Sequence, residues 1–443
     1  MTALVALWTV ALSGCVSYEP APIDLSTMEH DWAQRLQDMP GMSDDTPGPG
    51  LGDGLTLDEA IAVALYGNPS LRHARLEAGV ELASAQHAGL WDDPELSFDL
   101  MRNVDAGTDP WIYGASLGFT IPLSGRLDVE RDQAWASYDT AWYAVAIAEW
   151  ELTRELTRDW IAWSATREQA RAQARYLDDL DALIDTANAL VEQGELAPAE
   201  ARLLQIEQMQ RSIAMLQLEN EAARQHRALV ALMGLKPGVP YELTPTLEAP
   251  APQGETQAPT PQTHPRVLSA LAQYEQAELA LRRETVKQRP DLTLGPAFEN
   301  EEGQSRIGFG LGLPLPMWNA NRQGIAVASA ARAAAHAQVE LAYQSASAEL
   351  HEAAMRQRAA DAMRQAVRDD LLPLTARQID EARRLVELGE IEVLLLSQAV
   401  IAAADTELML IELRAQAAAA SMDYQLLTHP RWATQPQARP END

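Results

Sequence analysis

The residue whose chemistry the sequence specifies best is Cys15, the one cysteine in a chain of 443 residues. It follows an apolar run from Ala3 to Leu12 and the small residues Ser13 and Gly14. An apolar run closed by small residues is typical of an export signal that is cleaved from the mature protein. The cysteine resembles the acylated residue of a bacterial lipobox, although a cysteine placed there by chance would give the same pattern. The sequence therefore predicts a signal peptide at residues 1–14 and a lipid on Cys15.

The other polar residues show no pattern for catalysis or for holding a metal. A single cysteine excludes a disulfide within the chain and a cysteine-rich metal site, and the 8 histidines have no ligand spacing. Met209 and Met215 fit helix packing better than copper binding. The glycines from Gly308 to Gly312 alternate with apolar residues, which is not the spacing of a phosphate loop. Since zinc-protease and nucleophile-elbow motifs are also missing, the sequence predicts no enzyme, no cofactor and no metal site.

The net charge of −30, from 64 acidic and 34 basic residues, excludes one class of partner. A nucleic acid needs a basic face against its phosphates, so none is expected. The charge is compatible with a water-filled passage that attracts cations, but on charge alone a solvated acidic surface is the favoured explanation. No apolar run is long enough for a spanning helix.

Four short motifs recur in one order, at offsets of about 192 to 196 residues, so the chain contains two copies of one unit. The motif pairs are 67–71 with 263–267, 93–98 with 289–294, 121–123 with 313–315, and 190–196 with 385–391. The predicted segments are an N-terminal extended segment 15–54, a first copy 55–235, a proline-rich extended linker 236–264, a second copy 265–428 and a flexible tail 429–443.

Each copy contains a segment of alternating apolar residues that predicts a β-hairpin, at 95–123 and at 291–315. One face of each hairpin is apolar and the other is small or polar. A hairpin is not stable alone, and four strands cannot close a barrel, so other chains must complete the structure. The predicted lipid-facing residues are Leu96, Phe98, Leu100, Leu117, Phe119, Leu292, Leu294, Phe309 and Leu311.

In each copy the sequence predicts a helix before the hairpin and long helices after it. A capping box at Thr56 begins the first copy. After the first hairpin, no proline interrupts Arg126 to Leu190, and aromatic and aliphatic residues recur there every three or four positions, as in a coiled coil. The second copy repeats this from Arg322, with a kink expected at Pro373. The predicted fold class is mainly α with a small β part.

This combination resembles the TolC-like outer-membrane factor family over about residues 55–428. The resemblance is carried by the opening Leu55–Ala60, by Asn68-Pro69, by the Pro-Leu that ends each hairpin, by the two glycine tips and by the lipidated start. It implies a homotrimer in outer-membrane lipid, with a shared twelve-stranded β-barrel continued by a periplasmic α-barrel of long helices. Val16 after the cysteine also favours the outer membrane.

The resemblance further implies a passive duct with two partners, a periplasmic adaptor of the membrane fusion type and an inner-membrane pump of the resistance-nodulation-division type. The adaptor would meet two tips where helices turn, although a glycine there also serves as a plain helix cap. The predicted docking residues are Gly194, Glu195, Leu196, Gly389, Glu390 and Ile391.

Many family members close the periplasmic mouth with charged residues six and nine positions after each tip glycine. In this chain the corresponding residues are Glu200, Leu203, Leu395 and Gln398. Only Glu200 is acidic, so we expect a constriction partly lined by leucine. The alternative is that these leucines pack between helices.

The cargo stays open at this stage. The run from Pro314 to Arg322 resembles the heavy-metal cation efflux branch of the family, while drugs, other small molecules or proteins secreted by type I systems are alternatives. A more distant alternative is a lipid-anchored periplasmic coiled-coil adaptor or scaffold. That alternative accounts for the long helices but not for two hairpins with apolar faces.

Overall fold

The computed structural model describes residues 18–34, 54–102, 104, 111–248, 260–301, 304–388 and 393–428. The described residues are mainly helical with one small sheet, which confirms the predicted fold class. The helices are α1 (Leu25–Gln34), α2 (Leu57–Gly67), α3 (Pro69–Gln86), α4 (Arg126–Gln193), α5 (Pro198–Leu232), α6 (Pro265–Val286), α7 (Arg322–Ala366), α8 (Leu372–Glu387) and α9 (Val393–Thr428). The strands are β1 (Glu95–Arg102), β2 (Trp111–Ile121), β3 (Leu292–Glu301) and β4 (Gln304–Gly312). The signal peptide, Cys15, the second tip (Gly389, Glu390 and Ile391) and the tail 429–443 lie outside the described residues.

The four strands form one antiparallel sheet in the order β1-β2-β3-β4. The sequence pointed to two separate hairpins, but β2 of the first copy pairs with β3 of the second, with Phe119 opposite Leu294. Each hairpin therefore obtains one of its missing neighbours from the same chain. The outer edges of β1 and β4 have no strand partner among the described residues.

The helix that opens each copy is set by local capping. At Thr56 the backbone N–H donates to Glu59 Oε2 at 2.8 Å, which completes the predicted capping box. Asn68 ends α2 and caps α3, because its Oδ1 accepts the N–H of Leu71 at 3.0 Å. In the second copy His264 has the same role for α6, and its Nδ1 accepts the N–H of Arg266 at 3.2 Å. A proline follows Asn68 and His264 at the first helical position, where a missing N–H has no cost.

The helix α4 has 68 residues and spans about 100 Å at 1.5 Å per residue. It contacts α2, α3, α5, α6 and α9, so it forms the spine of the chain. Its buried face holds Trp150, Trp160 and Trp163, each at most 1% exposed. Large aromatic side chains at helical spacing thus pack α4 against the helices that surround it.

The second long helix is not continuous. A π-helical turn from Val367 to Leu371 separates α7 from α8, and it lies just before Pro373. Proline has no N–H, and its ring would collide with the carbonyl of Asp369 in a regular α-helix. The wider turn relieves that collision, so the irregularity predicted at Pro373 takes the form of a π turn.

The proline-rich linker is more closely packed than the sequence indicated. Leu243 forms an isolated parallel bridge with Leu55, and both side chains are buried. Leu247 is also buried, against Ile161 and Ile411. Prolines forbid regular helix and strand in this segment, but they leave the side chains between them able to pack. The part before residue 249 is therefore an extended segment whose leucines pack against the helices, and its role as a linker between the two copies stays a prediction.

Among the described residues, no helix combines the length and apolarity that a membrane crossing requires.

Candidate functional site

One face of the sheet is apolar and lies open to the surroundings. The strand register places Leu96 beside Leu117 and Leu294 beside Leu311, and residues paired in this way share a face. All nine predicted lipid-facing residues lie on this face. Phe98 is 75% exposed and Phe309 66%. The same face holds further large side chains that the predicted lipid-facing set does not include: Trp111, Tyr113, Ile121, Phe298 and Ile307.

A contiguous exposed apolar face of this extent is unusual for a protein in water and marks contact with lipid or protein. That the nine residues contact lipid stays a prediction.

The opposite face of the sheet carries mainly polar and small residues. One row across the four strands consists of Asp99, Gly114, Glu299 and Arg306. Arg306 pairs with Glu299 at 3.4 Å and with Glu301 at 3.0 Å. Nearby positions on this face are small: Gly118, Ser116, Ala297, Gly308 and Gly310. This face fits water and small hydrophilic solutes.

The seam between the two copies depends on Gly295. A Cβ at this position would collide with the backbone carbonyl of Leu117 on β2. The regular β2–β3 pairing also pauses here, next to Pro296, which has no N–H to donate. Glycine is therefore required where the strands of the two copies come closest.

Arg126 joins the two copies at the base of the sheet. Its Nε donates to Asp291 Oδ2 at 2.8 Å, and its other nitrogens contact Asp92 and Glu130. Ser124 Oγ donates to the second oxygen of Asp291 at 3.1 Å. The partners lie about 165 residues apart in the chain, so no local sequence signal announced this group.

A second polar group lies at the middle of the helices, around Glu349. Arg154 NH1 lies 2.8 Å from Glu349 Oε1, and Arg154 Nε donates to Asp423 Oδ1 at 2.7 Å. The buried His264 presents Nε2 to Glu349 Oε2 at 3.5 Å. The His264 imidazole, and Arg154 in the same direction, lower the pKa of Glu349 to about 2 although burial opposes them. Trp150 covers this group, with the Arg154 guanidinium 4.5 Å above its ring.

The first predicted tip is a well-formed helix end. Gly194 has φ of 77° and ψ of 12°, the left-handed conformation that favours glycine. The carbonyl of Leu190 accepts the N–H groups of Glu195 at 2.9 Å and Leu196 at 3.3 Å. Gly194 and Glu195 are exposed, whereas Leu196 packs partly against the helices below. The exposed part of this tip is thus small and acidic.

The gate candidates are exposed or half-buried in the single chain. Leu203 is 53% exposed and Leu395 48% exposed, and Gln398 is also exposed. Glu200 is half-buried. Their neighbours Leu204 and Leu396 are the buried ones, in a cluster with Leu180 and Val400 that we call the tip cluster. Within one chain, packing between helices is therefore performed by the adjacent leucines.

An ion-pair network above the tip cluster ties α5 to α9. Arg211 Nε contacts Glu207 Oε1 at 2.7 Å, and Arg211 NH1 contacts Asp405 Oδ1 at 2.9 Å. The guanidinium lies over the ring of Tyr176, whose pKa is raised mainly by burial. The sequence analysis missed this group because its members come from three different helices.

Among the described residues, no group of three or more His, Cys, Asp or Glu side chains could hold a metal ion.

Comparisons with known proteins agree with this architecture. CusC, whose crystal structures concern folding and transmembrane channel formation, superposes with a TM-score of 0.72 at 15% identity, over 84% of this chain and 91% of that chain. The outer membrane protein VceC of Vibrio cholerae gives 0.70 at 15% identity, over 90% and 98%. The CmeC outer membrane channel of Campylobacter jejuni gives 0.69 at 13% identity, over 94% and 93%. These low identities establish a shared fold.

No curated protein matches the chain in sequence. The family model described as outer membrane efflux protein matches residues 60–235 and 287–427, which is more than half of the chain. This is a family of outer-membrane channels and not of enzymes. With a sheet that has one apolar and one polar face, set on a bundle of very long helices, the chain belongs to the outer membrane efflux protein family.

Proposed function

We propose that this chain forms the outer-membrane exit duct of a tripartite export system, as a homotrimer. The observation that carries the proposal is the four-stranded sheet, whose apolar face is exposed and whose two edges are unpaired among the described residues. Three such sheets would close a twelve-stranded barrel with the apolar residues in lipid and the glycine-rich face around water. The long helices would continue the passage into the periplasm as an α-barrel.

The duct would have no energy source of its own. An inner-membrane pump, of the resistance-nodulation-division type, and a periplasmic adaptor would supply the cargo. We propose that the adaptor meets the tips at Gly194, Glu195 and Leu196 and at Gly389, Glu390 and Ile391. Cys15 would carry the lipid that anchors the start of the mature chain in the outer membrane.

For the cargo we propose heavy-metal cations, with drugs, other small molecules or secreted proteins as alternatives. The polar face supports cations, because Asp99 lies on it without an ion-pair partner among the described residues. A passage needs no tight cation site, since tight binding would slow transport.

Two measurements test the duct. The detergent-solubilised protein should have the mass of a trimer, and in a planar bilayer it should give ion-conducting steps that favour cations. Recovery in the outer-membrane fraction after a high-salt wash should accompany both. A soluble monomer after removal of the lipid would favour a periplasmic scaffold instead.

Conductance also tests the leucine gate. Leu395→Ser should raise the open probability if Leu395 lines the closed constriction, and Leu396→Ser serves as the comparison because Leu396 is buried in the tip cluster. An unchanged closed state in the Leu395 variant would remove this residue from the gate.

A further inference from the structure

The two copies are related in three dimensions by one offset of 196 residues. It carries the cap Asn68 to the cap His264, and Gly125 to Asn321, both left-handed and both directly before a long helix. The same offset carries the strand pair Phe98–Ala115 to the observed pair Leu294–Leu311. A contact between the first and second copies of one chain therefore predicts an equivalent contact between the second copy of that chain and the first copy of a neighbouring chain.

The ion pair at the base of the sheet has such a counterpart. The offset carries Arg126 to Arg322, and it carries Glu95 to Asp291. Arg126 and Asp291 meet at 2.8 Å within the chain. Glu95 lies on the edge strand β1, and Arg322 follows the opposite edge strand β4. Both side chains are exposed, and neither has an ion-pair partner in the described part of the chain.

The helices show the same relation. In the chain, α6 packs on α4, with Gln276 Nε2 donating to Ser137 Oγ at 2.9 Å and Ala272 only 7% exposed. The corresponding positions on α3 are Val80 and Leu76. They are 67% and 71% exposed. Large apolar side chains thus stand uncovered at positions whose counterparts face a neighbouring helix.

From this correspondence we propose that the seam between two protomers repeats the seam between the two copies. Arg322 of one protomer pairs with Glu95 of the partner subunit, and α7 of one protomer covers Leu76 and Val80 on α3 of the next. The occupant is a second copy of this chain, since only a first-copy surface reproduces both the charge and the helix. Such a head-to-tail contact closes into a ring when the rotation is right. The inference rests on the proposed homo-oligomer and assigns the residues of its interface.

Cysteine cross-linking tests the assignment. The chain has no cysteine besides Cys15, so a variant with Glu95→Cys and Arg322→Cys carries two new thiols. A short bismaleimide should link protomers of the detergent-solubilised protein into dimers and trimers on denaturing gels. The matched control is Arg126→Cys with Asp291→Cys, whose link should form within one chain and leave the monomer mass unchanged. Variants with Glu95→Cys alone or Arg322→Cys alone should give no cross-linked dimers or trimers.

The possible outcomes separate this inference from the proposed function. If the detergent-solubilised protein has the mass of a trimer and the control pair links, but the Glu95 and Arg322 pair does not, the assigned seam is wrong and the duct stands. If the detergent-solubilised protein has the mass of a monomer, both are overturned.

A charge exchange gives an independent readout. Glu95→Arg and Arg322→Glu should each lower the trimer-to-monomer ratio about tenfold, the effect of roughly 1.4 kcal/mol. The double variant should restore it, because the opposite charges meet again. Failure of the double variant to recover, with each single variant impaired, would contradict a direct pair.

Discussion

The two long helical segments of the chain differ in how much of their surface the chain itself covers. The first, α4, has helices of the same chain on most sides and buries tryptophans along its length. The second, α7, contacts mainly α6 and α9, and its buried residues in the described part of the chain are four alanines and one leucine. Composition thus follows position: a central helix carries bulky aromatic residues, and an edge helix carries small residues that allow another helix to approach.

The difference also separates two sources of stability. Contacts around α4 are present in every folded monomer, whereas much of the surface of α7 is exposed in the single chain and would be covered only in the proposed trimer. Substitutions on the two helices should therefore have different effects.

The largest effect is expected from Trp160→Ala. Trp160 is fully buried and stacks edge-on against Trp163 with ring centres 5.5 Å apart. Loss of a buried aromatic side chain costs about 3–5 kcal/mol, which thermal unfolding of the solubilised protein would show as a lower midpoint. The comparison is Met355→Ala, at nearly the corresponding place on α7 and 62% exposed. A large effect of Met355→Ala would show that a second chain covers this residue.

The next effect concerns pH. The pKa of Glu349 is lowered from 4.5 to about 2 in the folded protein. The ionised carboxylate therefore stabilises the folded state at pH values above the unfolded-state pKa. This stabilisation is lost as the pH falls from about 5 to 2. The contribution amounts to roughly 3 kcal/mol. Glu349→Gln should lower stability at neutral pH and flatten the acid dependence.

The control for this prediction is Glu352→Gln on the same helix. Glu352 is 70% exposed and pairs only with Arg356, at 3.4 Å, in the described structure. Its replacement should change stability by at most about 0.5 kcal/mol. If the free energy of unfolding falls with acid as steeply in the Glu349→Gln variant as in the unchanged protein, the pH dependence does not come from Glu349.

The seam between the copies can be weakened selectively with Gly295→Ala. The new Cβ would meet the backbone of Leu117, so β2 and β3 must separate, at a cost of about 1–3 kcal/mol. Gly308→Ala lies on the same polar face with no atom within 4 Å and should be nearly neutral. Unfolding midpoints of the two variants give the comparison, and equal midpoints would refute a special role for Gly295.

The smallest effect is expected at the first tip. Gly194→Ala should cost about 1 kcal/mol, because an alanine is strained at the φ of 77°. No atom lies within 4 Å of a Cβ at this position, so strain and not collision is the cause. Gly194→Asn should recover part of the loss, since asparagine tolerates this conformation. Adaptor binding by each variant would separate a docking role from a capping role.

Much of the architecture follows from periodicity in the sequence. Alternation placed Leu96 and Leu311 on one sheet face, and the repeat gave two equivalent helix–hairpin–helix units. The pairing of β2 with β3 could not be predicted from the sequence, because all four strands have a similar alternation that does not specify which strand edges pair. The groups around Arg126 and Glu349 were also missed, since their members are far apart in sequence and each alone resembles a surface charge. The buried Leu243 and Leu247 were hidden by the prolines around them.

The exposed apolar face of the sheet has a consequence for the life of the chain before assembly. Before assembly, a protomer presents this face to water together with two strand edges that are unpaired among the described residues, a combination that promotes aggregation. If the proposed trimer forms, its folding ends only when lipid and sister chains are met, and the measured stability should depend on protomer concentration. Delivery to the membrane, more than folding of the helices, is then the step at which such a chain is most exposed to loss.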